Sequence, residues 1–314
     1  MQESTEQRLE TSRGWRIALL LLLVIGFLAF DYYVTRAFQA RYGFATEFIQ
    51  AICMGAYVVQ IDLIAIWSAM GPGRMVVRIP WALLAMTLVF VVHQQGAAVR
   101  SRYLFSDEDR SMLAAMLLWG LIAATGSFFL YRVASRRRLL HRDASLEGAQ
   151  HFHLQHLIGG IFLLSVTCGL LKAFEFPIVF PSLNNRPIIG VGIFTVVNLT
   201  ITLPAIILSY RISFAPRYLV LAGICVLVTI SEVAVFFFLS GGGAPPDLGK
   251  IVLMFLLMNV TQGFLLSLIL SMVRFGGYEF RLVTSGTLVQ PNVKNESPTI
   301  AEADPWSHDE TTMD

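Results

Sequence analysis

The sequence predicts an all-α fold: a polytopic membrane helix bundle of about eight transmembrane helices. Hydrophobic residues occupy 55% of the 314 positions and charged residues only 14%, whereas a soluble domain usually carries about 25% charge. Eight separate apolar runs are each close to the length that a helix needs to cross a bilayer, which is roughly 20 residues. Backbone polar groups in lipid must be paired within their own segment, so these runs are predicted to be helices.

The predicted spans are 16–34, 46–70, 79–97, 112–133, 156–174, 188–209, 217–239 and 250–273. Arg8, Arg13 and Arg16 precede the first run, as they would in a secretory signal. No small-x-small cleavage site follows that run, and we therefore expect it to be a retained span.

Glycine and proline mark the breaks between spans, because both residues end helices. The breaks are Gly71-Pro72-Gly73, Pro80 at the start of the third span, Pro177 with Pro181, Pro216 at the start of the seventh, and Gly241-Gly242-Gly243-Ala244-Pro245-Pro246. Pro204 lies inside the sixth span, where it should kink the helix.

The distribution of Lys and Arg predicts the orientation. The N-terminus, the C-terminal segment and the 2–3, 4–5 and 6–7 loops together hold 15 of the 23 basic residues, and the other loops hold 8. The densest cluster is Arg132, Arg136, Arg137, Arg138 and Arg142. Both termini are therefore expected in the cytosol.

The spans divide into two sets of four. We expect a cytosolic segment 1–15, a first membrane half 16–134, a basic, His-containing cytosolic loop 135–155, a second membrane half 156–282, and a disordered cytosolic tail 283–314. Corresponding spans lie about 137–140 residues apart, which suggests two four-helix repeats in parallel orientation. Gln60-Ile61-Asp62 would then match Asn198-Leu199-Thr200, and Gln95 would match Glu232.

Ionisable residues inside spans are costly in lipid and are treated as functional candidates. Our main hypothesis is a polar cavity in the outer half of the bilayer, with Glu232 as a proton or cation acceptor and His93 as a titrating partner. The hypothetical substrate or ion site is Glu232, His93, Gln95, Asn198, Asn259, Gln262 and Asp62. Asn259 and Gln262 are three residues apart and share a helix face.

These polar residues also have a purely structural interpretation. Hydrogen bonds between helices would hold the bundle together without any cavity. Asp62 would in that case be paired with Gln60, or with Arg74 reaching up from the loop. Asp31 and Lys172 lie at span ends, where long or flexible side chains reach the interface.

A histidine cluster precedes the fifth span. Neutral imidazoles at the spacing of His151, His153 and His156 can bind zinc or another transition metal. No cysteine or well-placed carboxylate completes the set, so an interfacial helix with polar residues is the alternative interpretation.

Catalytic and cofactor motifs are absent from the sequence. There is no Walker A loop, no dinucleotide-binding glycine pattern, no His-Glu-x-x-His and no Gly-x-Ser-x-Gly. No cofactor is therefore expected, and the net charge of +2 gives no reason to expect nucleic acid binding. Cys53, Cys168 and Cys225 each lie in an apolar run, where they pack as small apolar residues.

Two short stretches of the sequence resemble segments of a known group of proteins. His151-Phe152-His153-Leu154-Gln155-His156-Leu157 resembles the lead-in to a span in many uncharacterised bacterial multi-pass inner-membrane proteins. Arg274-Phe275-Gly276-Gly277-Tyr278-Glu279-Phe280-Arg281 resembles their closing segment, although His153 and Gln155 depart from the usual residues. The resemblance covers about fifteen residues and implies an inner-membrane protein with its basic flanks inside.

Three functional classes follow from these observations. A structural or assembly subunit of a membrane complex fits the thin loops and the missing motifs. A small-solute or ion transporter would use the polar cluster around Glu232. A membrane-embedded metal enzyme or sensor would use His151–His156. The expected partners are the lipid bilayer and either another membrane protein or a second copy of the chain.

Overall fold

The computed structural model describes residues 18–19, 21–36, 44–72, 75–98, 107–141, 154–177, 186–211, 214–239 and 247–282. Within these ranges the chain forms eight helices and two short strands. The helices are α1 (21–36), α2 (Phe44–Met70), α3 (Met75–Ala98), α4 (Asp107–Ser135), α5 (Leu154–Ala173), α6 (Arg186–Arg211), α7 (Phe214–Leu239) and α8 (Leu248–Phe275). The strands are β1 (Arg137–His141) and β2 (Tyr278–Leu282).

Six of these helices, α2, α3, α4, α6, α7 and α8, are long and apolar enough to cross a membrane. The apolar part of α5, Ile158–Ala173, is shorter, and the described part of α1 rises only about 24 Å at 1.5 Å per residue. The predicted class, an all-α polytopic membrane bundle, is confirmed, and the chain is an integral membrane protein.

The helices extend beyond the predicted apolar windows because polar residues at their ends continue the helical hydrogen bonding. Helix α4, for example, begins at Asp107 rather than at residue 112. Pro80 was expected to open a span but lies inside α3. Pro216 is in the first turn of α7, where a missing N–H costs no helical hydrogen bond.

A two-stranded antiparallel sheet, which the all-α prediction missed, joins the two halves of the bundle. β1 follows α4 and β2 follows α8, and Leu139 pairs with Phe280 at the centre of the register. Each strand has only five residues, several of them charged, so neither shows the apolar alternation that predicts a strand. Residues 137–141, predicted as loop, therefore form structure only with a partner far away in the sequence.

The same contacts recur in the two halves. In the first half, the Ser68 and Thr125 hydroxyls are 3.2 Å apart between α2 and α4; in the second, those of Ser209 and Ser267 are 3.2 Å apart between α6 and α8. Arg132 donates to the Ala69 carbonyl (2.7 Å), and Arg274 donates to the Ser209 carbonyl (3.1 Å).

The short connections from helix to strand also have similar backbone conformations in the two halves. Between α4 and β1, Arg136 has φ 53°, and between α8 and β2, Gly277 has φ 87°. Both values lie in the left-handed region that commonly ends a helix.

Residues about 140 positions apart in the sequence meet where the two halves face each other. Thr202 on α6 donates to Asp62 on α2 across a sequence separation of 140 residues, and Leu139 faces Phe280 at a similar spacing. Residues far apart in the sequence are thus in contact across the two halves. The predicted match of Asp62 with Thr200 concerns the alignment of repeats, and these contacts do not test it.

The buried core lies mainly between α2, α4, α6 and α8, with contributions from α3 and α7. Its fully buried side chains include Met70, Phe128, Leu221 and Leu266. Helices α2 and α8 approach most closely at Gly55, where a Cβ would collide with the carbonyl oxygen of Met258 and crowd Thr261. Glycine thus permits the contact between the two halves at this point.

Candidate functional site

Glu232 on α7 lies at the centre of a buried carboxyl–amide cluster, here called the Glu232 cluster: Asn198, Thr229, Glu232 and Asn259. The Asn198 amide donates to one carboxyl oxygen at 3.1 Å, and the Asn259 amide donates to the other at 2.5 Å. Asn259 also donates to the Thr229 hydroxyl at 3.0 Å. The side chain of Glu232 is 0% exposed, so these amides replace water as its hydrogen-bond donors.

Helix geometry explains why this cluster forms. Thr229 and Glu232 are three residues apart on α7 and therefore share a face. The Cys225 thiol, one turn earlier on that face, donates to the Asn259 carbonyl at 3.2 Å and fixes α7 against α8.

Asp62 on α2 forms a second cluster, here called the Asp62 cluster: Asp62, Thr202 and Gln262. The Thr202 hydroxyl donates to one carboxyl oxygen at 2.7 Å, and the Gln262 amide donates to the same oxygen at 3.0 Å. The predicted pairing of Asp62 with Gln60 was wrong, because Gln60 donates instead to Asp31 at 2.7 Å. The other predicted partner, Arg74, lies outside the described residues.

The two clusters are adjacent along α6 and α8. Asn198 and Thr202 are one turn apart on α6, and the Thr202 hydroxyl is 3.2 Å from the Asn198 carbonyl. Asn259 and Gln262 share a face of α8, as the sequence predicted, and each serves one of the two carboxyl groups.

The electrostatics of this pair of clusters are unusual for a membrane interior. Among the described residues, neither Asp62 nor Glu232 has a lysine or arginine within ion-pair distance. The ion pairs in the described part of the chain, such as Lys250 with Glu47, involve other residues. A buried carboxylate without a cation is costly unless it is protonated or binds a metal. The charge of both groups therefore calls for a proton or a cation.

Three amide oxygens beside these carboxyls have no hydrogen-bond donor: those of Asn198, Asn259 and Gln262. Each amide directs its N–H groups at a carboxyl group, so its oxygen points away from it. An unpaired buried acceptor costs about 1–3 kcal/mol. Carboxyl and amide oxygens are the kind of atom that hard cations prefer as ligands.

An aromatic layer lies one turn beyond the Glu232 cluster, away from the β1–β2 sheet. Phe194, Phe236 and Phe255 come one helical turn from Asn198, Glu232 and Asn259, respectively. The Phe194 and Phe255 rings stack at 5.5 Å between centroids, and the Phe236 ring meets that of Phe255 at 6.2 Å. These rings cover the cluster on that side.

On the opposite side, polar side chains continue along α6 and α8 toward the sheet. The Ser209 and Ser267 hydroxyls are 3.2 Å apart, and Arg217 donates to the Ser271 hydroxyl at 3.0 Å. This end of the bundle, here called the basic end, is defined by Arg78, Arg132, Arg138, Arg217 and Arg274. Polar side chains therefore occur between the Asp62 cluster and the basic end.

His93 lies in a third polar cluster, in the first half of the bundle. Its Nδ1 is 2.7 Å from the Tyr57 hydroxyl and 3.0 Å from that of Thr35. The structure does not bring His93 together with Glu232 as the hypothesis of one cavity required, because α3 presents it to α1 and α2. Gln95 has an exposed side chain and belongs to none of these clusters.

Asp31 was predicted to reach the interface at a span end but is 0% exposed. It receives the Gln60 amide on one oxygen, and its other oxygen has no hydrogen-bond partner. Lys172, by contrast, is exposed as expected.

Sequence analysis missed Thr202 and Thr229 as members of the site. Their spacing was the available signal, since Thr202 follows Asn198 by four residues and Thr229 precedes Glu232 by three. Threonine is common in apolar helices, where it bonds its own backbone, and only the neighbouring helices distinguish these two from the others.

The predicted histidine site is not tested. His151 and His153 lie outside the described residues, and so does the side chain of His156. Among the side chains that are described, no group of three His, Cys, Asp or Glu residues is placed to hold a metal ion.

Comparison with known proteins identifies no relative: no family model, no curated protein and no solved structure matches the chain. The functional argument therefore depends on the geometry of the site.

Proposed function

We propose that this integral membrane protein is a small-solute or ion transporter, and that Glu232 and Asp62 bind the proton or hard cation that drives or accompanies transport. One observation carries the proposal: two buried carboxyl groups lack a basic partner among the described residues, while three unpaired amide oxygens lie beside them. Ionisable residues inside membrane helices commonly mark ion and proton pathways.

The surroundings of the site support transport more than a static hydrogen-bond network. Aromatic rings cover the Glu232 cluster on one side, and hydroxyl groups lead from the Asp62 cluster to the basic end on the other. Under this proposal, the aromatic rings would form the closed side of an alternating-access cycle, and the hydroxyl groups would lie on the path toward the basic end. The recurrence of contacts in the two halves fits such a cycle, since many transporters place their sites between structural repeats.

Thermal unfolding of the purified protein in the presence of Na⁺, K⁺, Mg²⁺ or Ca²⁺, and across pH, tests the proposal. A bound ligand stabilises by about 2.7 kcal/mol at a concentration one hundred times its Kd. We expect one of these cations, or protons, to raise the Tm of the wild type. Glu232→Gln should remove that increase, and it should abolish flux of the same ion into liposomes.

The Glu232→Gln variant is expected to fold. Its amide group needs one donor and one acceptor, and the unpaired oxygen of Asn198 or Asn259 becomes an acceptor when that amide rotates. The matched control is Glu175→Gln, the same chemical change at an exposed side chain, which should leave ion-dependent Tm and flux unchanged. A folded Glu232→Gln protein with undiminished ion response would contradict the proposal.

The alternative function is a structural or assembly subunit of a membrane complex. The observation that favours it is the broad outward face of α5, where Ile158, Ile161, Phe162 and Leu164 are exposed. Gentle purification from the native membrane would identify a stoichiometric partner if this alternative holds. The second alternative, a metal enzyme or sensor, depends on His151, His153 and His156.

The location and orientation belong to the same proposal. The basic end would face the cytosol by the positive-inside rule, and both termini would then lie there. The protein would lie in a bacterial inner membrane, as the resemblance to multi-pass proteins of that membrane implies. Reporter fusions after residue 141 and after residue 177 should report opposite sides.

A further inference from the structure

A cavity of about 420 Å³ lies between α1, α2, α3 and α8, away from the carboxyl clusters, and it closes against the sheet at the basic end. Its walls are almost entirely apolar and include Leu23, Phe27, Ile64, Ala85, Leu270 and Leu139. The volume is in the range of ordinary small-molecule sites, which is roughly 300–1,000 Å³.

The cavity is accessible from outside the protein. Val24 and Trp81, which both line it, are 53% and 47% exposed. In a bilayer these positions face lipid, so an apolar chain can enter from the membrane without crossing water. The bilayer would therefore supply a hydrocarbon chain to occupy the cavity.

Three arginines lie at the end of the bundle where the sheet closes the cavity: Arg78, Arg132 and Arg138. Arg78 donates to the carbonyl oxygens of Trp67 (3.1 Å) and Gly71 (2.6 Å), and Trp67 lines the cavity. Arg138 lies on β1 next to the lining residue Leu139, although the two side chains leave opposite faces of the strand. The charges of all three guanidinium groups repel one another.

These arginines carry more positive charge than their protein contacts balance. Arg78 and Arg132 cap the carboxyl end of α2, where the helix dipole supplies only about half a negative charge. The Nε and Nη2 atoms of Arg78, a residue only 2% exposed, have no hydrogen-bond partner. Among the described residues, no carboxylate forms an ion pair with any of the three.

We propose that this cavity and the three arginines form a binding site for an anionic phospholipid. One acyl chain would occupy the cavity, and the phosphate would lie near Arg132 and Arg138, with the charge of the buried Arg78 adding to the attraction. Basic pockets between transmembrane helices are typical sites for anionic headgroups. The site is separate from the Glu232 and Asp62 clusters and does not depend on the proposed transport function.

Native mass spectrometry of the purified protein with phosphatidylglycerol and with phosphatidylcholine of the same chains tests the proposal. We expect phosphatidylglycerol to bind more tightly. Ala85→Phe should weaken its binding several-fold by filling the cavity. Arg132→Gln should weaken it about fivefold, because one basic residue near an anionic headgroup contributes about 1 kcal/mol.

The second half of the bundle provides the matched control. Arg274 caps α6 through the Ser209 carbonyl, as Arg132 caps α2 through that of Ala69. Arg274→Gln removes the same charge from an equivalent cap and should leave phosphatidylglycerol binding unchanged. Glycerol phosphate, the headgroup without chains, should fail to compete at concentrations where lysophosphatidylglycerol does.

Four results would overturn the proposal: equal binding of the two lipids, unchanged binding in both Ala85→Phe and Arg132→Gln, equal weakening by Arg274→Gln and Arg132→Gln, or competition by glycerol phosphate as strong as that by the lysolipid. The Tm of each variant would be measured to establish that the protein is folded. Ala85→Phe disturbs packing, whereas Arg132→Gln disturbs a helix cap, so the test can be made if either variant folds.

Discussion

Amides and hydroxyls, rather than arginine or lysine, surround the carboxyl groups of Asp62 and Glu232. A strong ion pair would hold each carboxyl group in one charge state, whereas amide donors leave room for a proton or a cation to enter and leave. The unpaired oxygens of Asn198 and Asn259 carry the same implication. At the scale of single residues, this chemistry supports the reversible binding that we propose.

Thr202 tests how much the Asp62 cluster stabilises the bundle. Thr202→Val removes the hydroxyl that donates to Asp62 and keeps the side-chain shape. We expect a loss of about 0.6–1.7 kcal/mol in the free energy of unfolding, the range measured for hydrogen bonds between membrane helices. Unfolding in mixed detergent micelles measures this change.

Thr200→Val is the control for that measurement. Thr200 is exposed and bonds only its own helix, at the Val197 carbonyl. Its substitution should change the free energy of unfolding little. Equal effects of Thr202→Val and Thr200→Val would mean that the hydrogen bond to Asp62 contributes nothing to stability.

At the scale of helices, close approach between α2 and α8 determines whether residues of the two halves can meet. Gly55 allows this approach because it has no side chain. Nothing in the sequence pattern distinguished Gly55 from glycines on open faces. The neighbouring helix makes that distinction.

Gly55→Ala should destabilise the protein by about 1–3 kcal/mol, since an added methyl group in a packed contact forces the helices apart. Its effect should appear as a lower Tm. The control is Gly126→Ala on α4, where a Cβ would meet no neighbour within 4 Å. That variant should be neutral or slightly stabilising, because alanine favours a helix more than glycine does. A Tm for Gly55→Ala at or above that of the wild type would refute the proposed close contact.

At the scale of the whole molecule, the β1–β2 sheet joins the end of one half to the end of the other. Its register places Leu139 opposite Phe280 and Leu140 opposite Glu279. The sheet also closes the apolar cavity at the basic end, since Leu139 and Tyr278 line the cavity. The two halves are therefore connected by tertiary contacts at the basic end as well as along α2 and α8.

Paired cysteines test this register. In a background without Cys53, Cys168 and Cys225, Leu139→Cys with Phe280→Cys should form a disulfide under mild oxidation, because paired residues lie about 4.5–5.5 Å apart at Cα. After proteolysis between residues 142 and 153, the two halves should remain joined in a nonreducing gel. Leu140→Cys with Phe280→Cys is the control and should cross-link poorly, as its side chains point to opposite faces. The reverse order of cross-linking would show that the register is shifted.

The sequence alone determined that this is a membrane helix bundle, because apolar runs of bilayer length admit few other structures. It also identified Asp62, Glu232, Asn198, Asn259 and Gln262 as costly residues, since polar groups in apolar helices are evident without coordinates. Only the tertiary structure decided which of them meet. The rotation and packing of the helices place His93 beside Tyr57 and Thr35, pair Asp62 with Thr202, and bring β1 next to β2. Such contacts depend on distances between segments far apart in sequence, which local composition and periodicity do not encode.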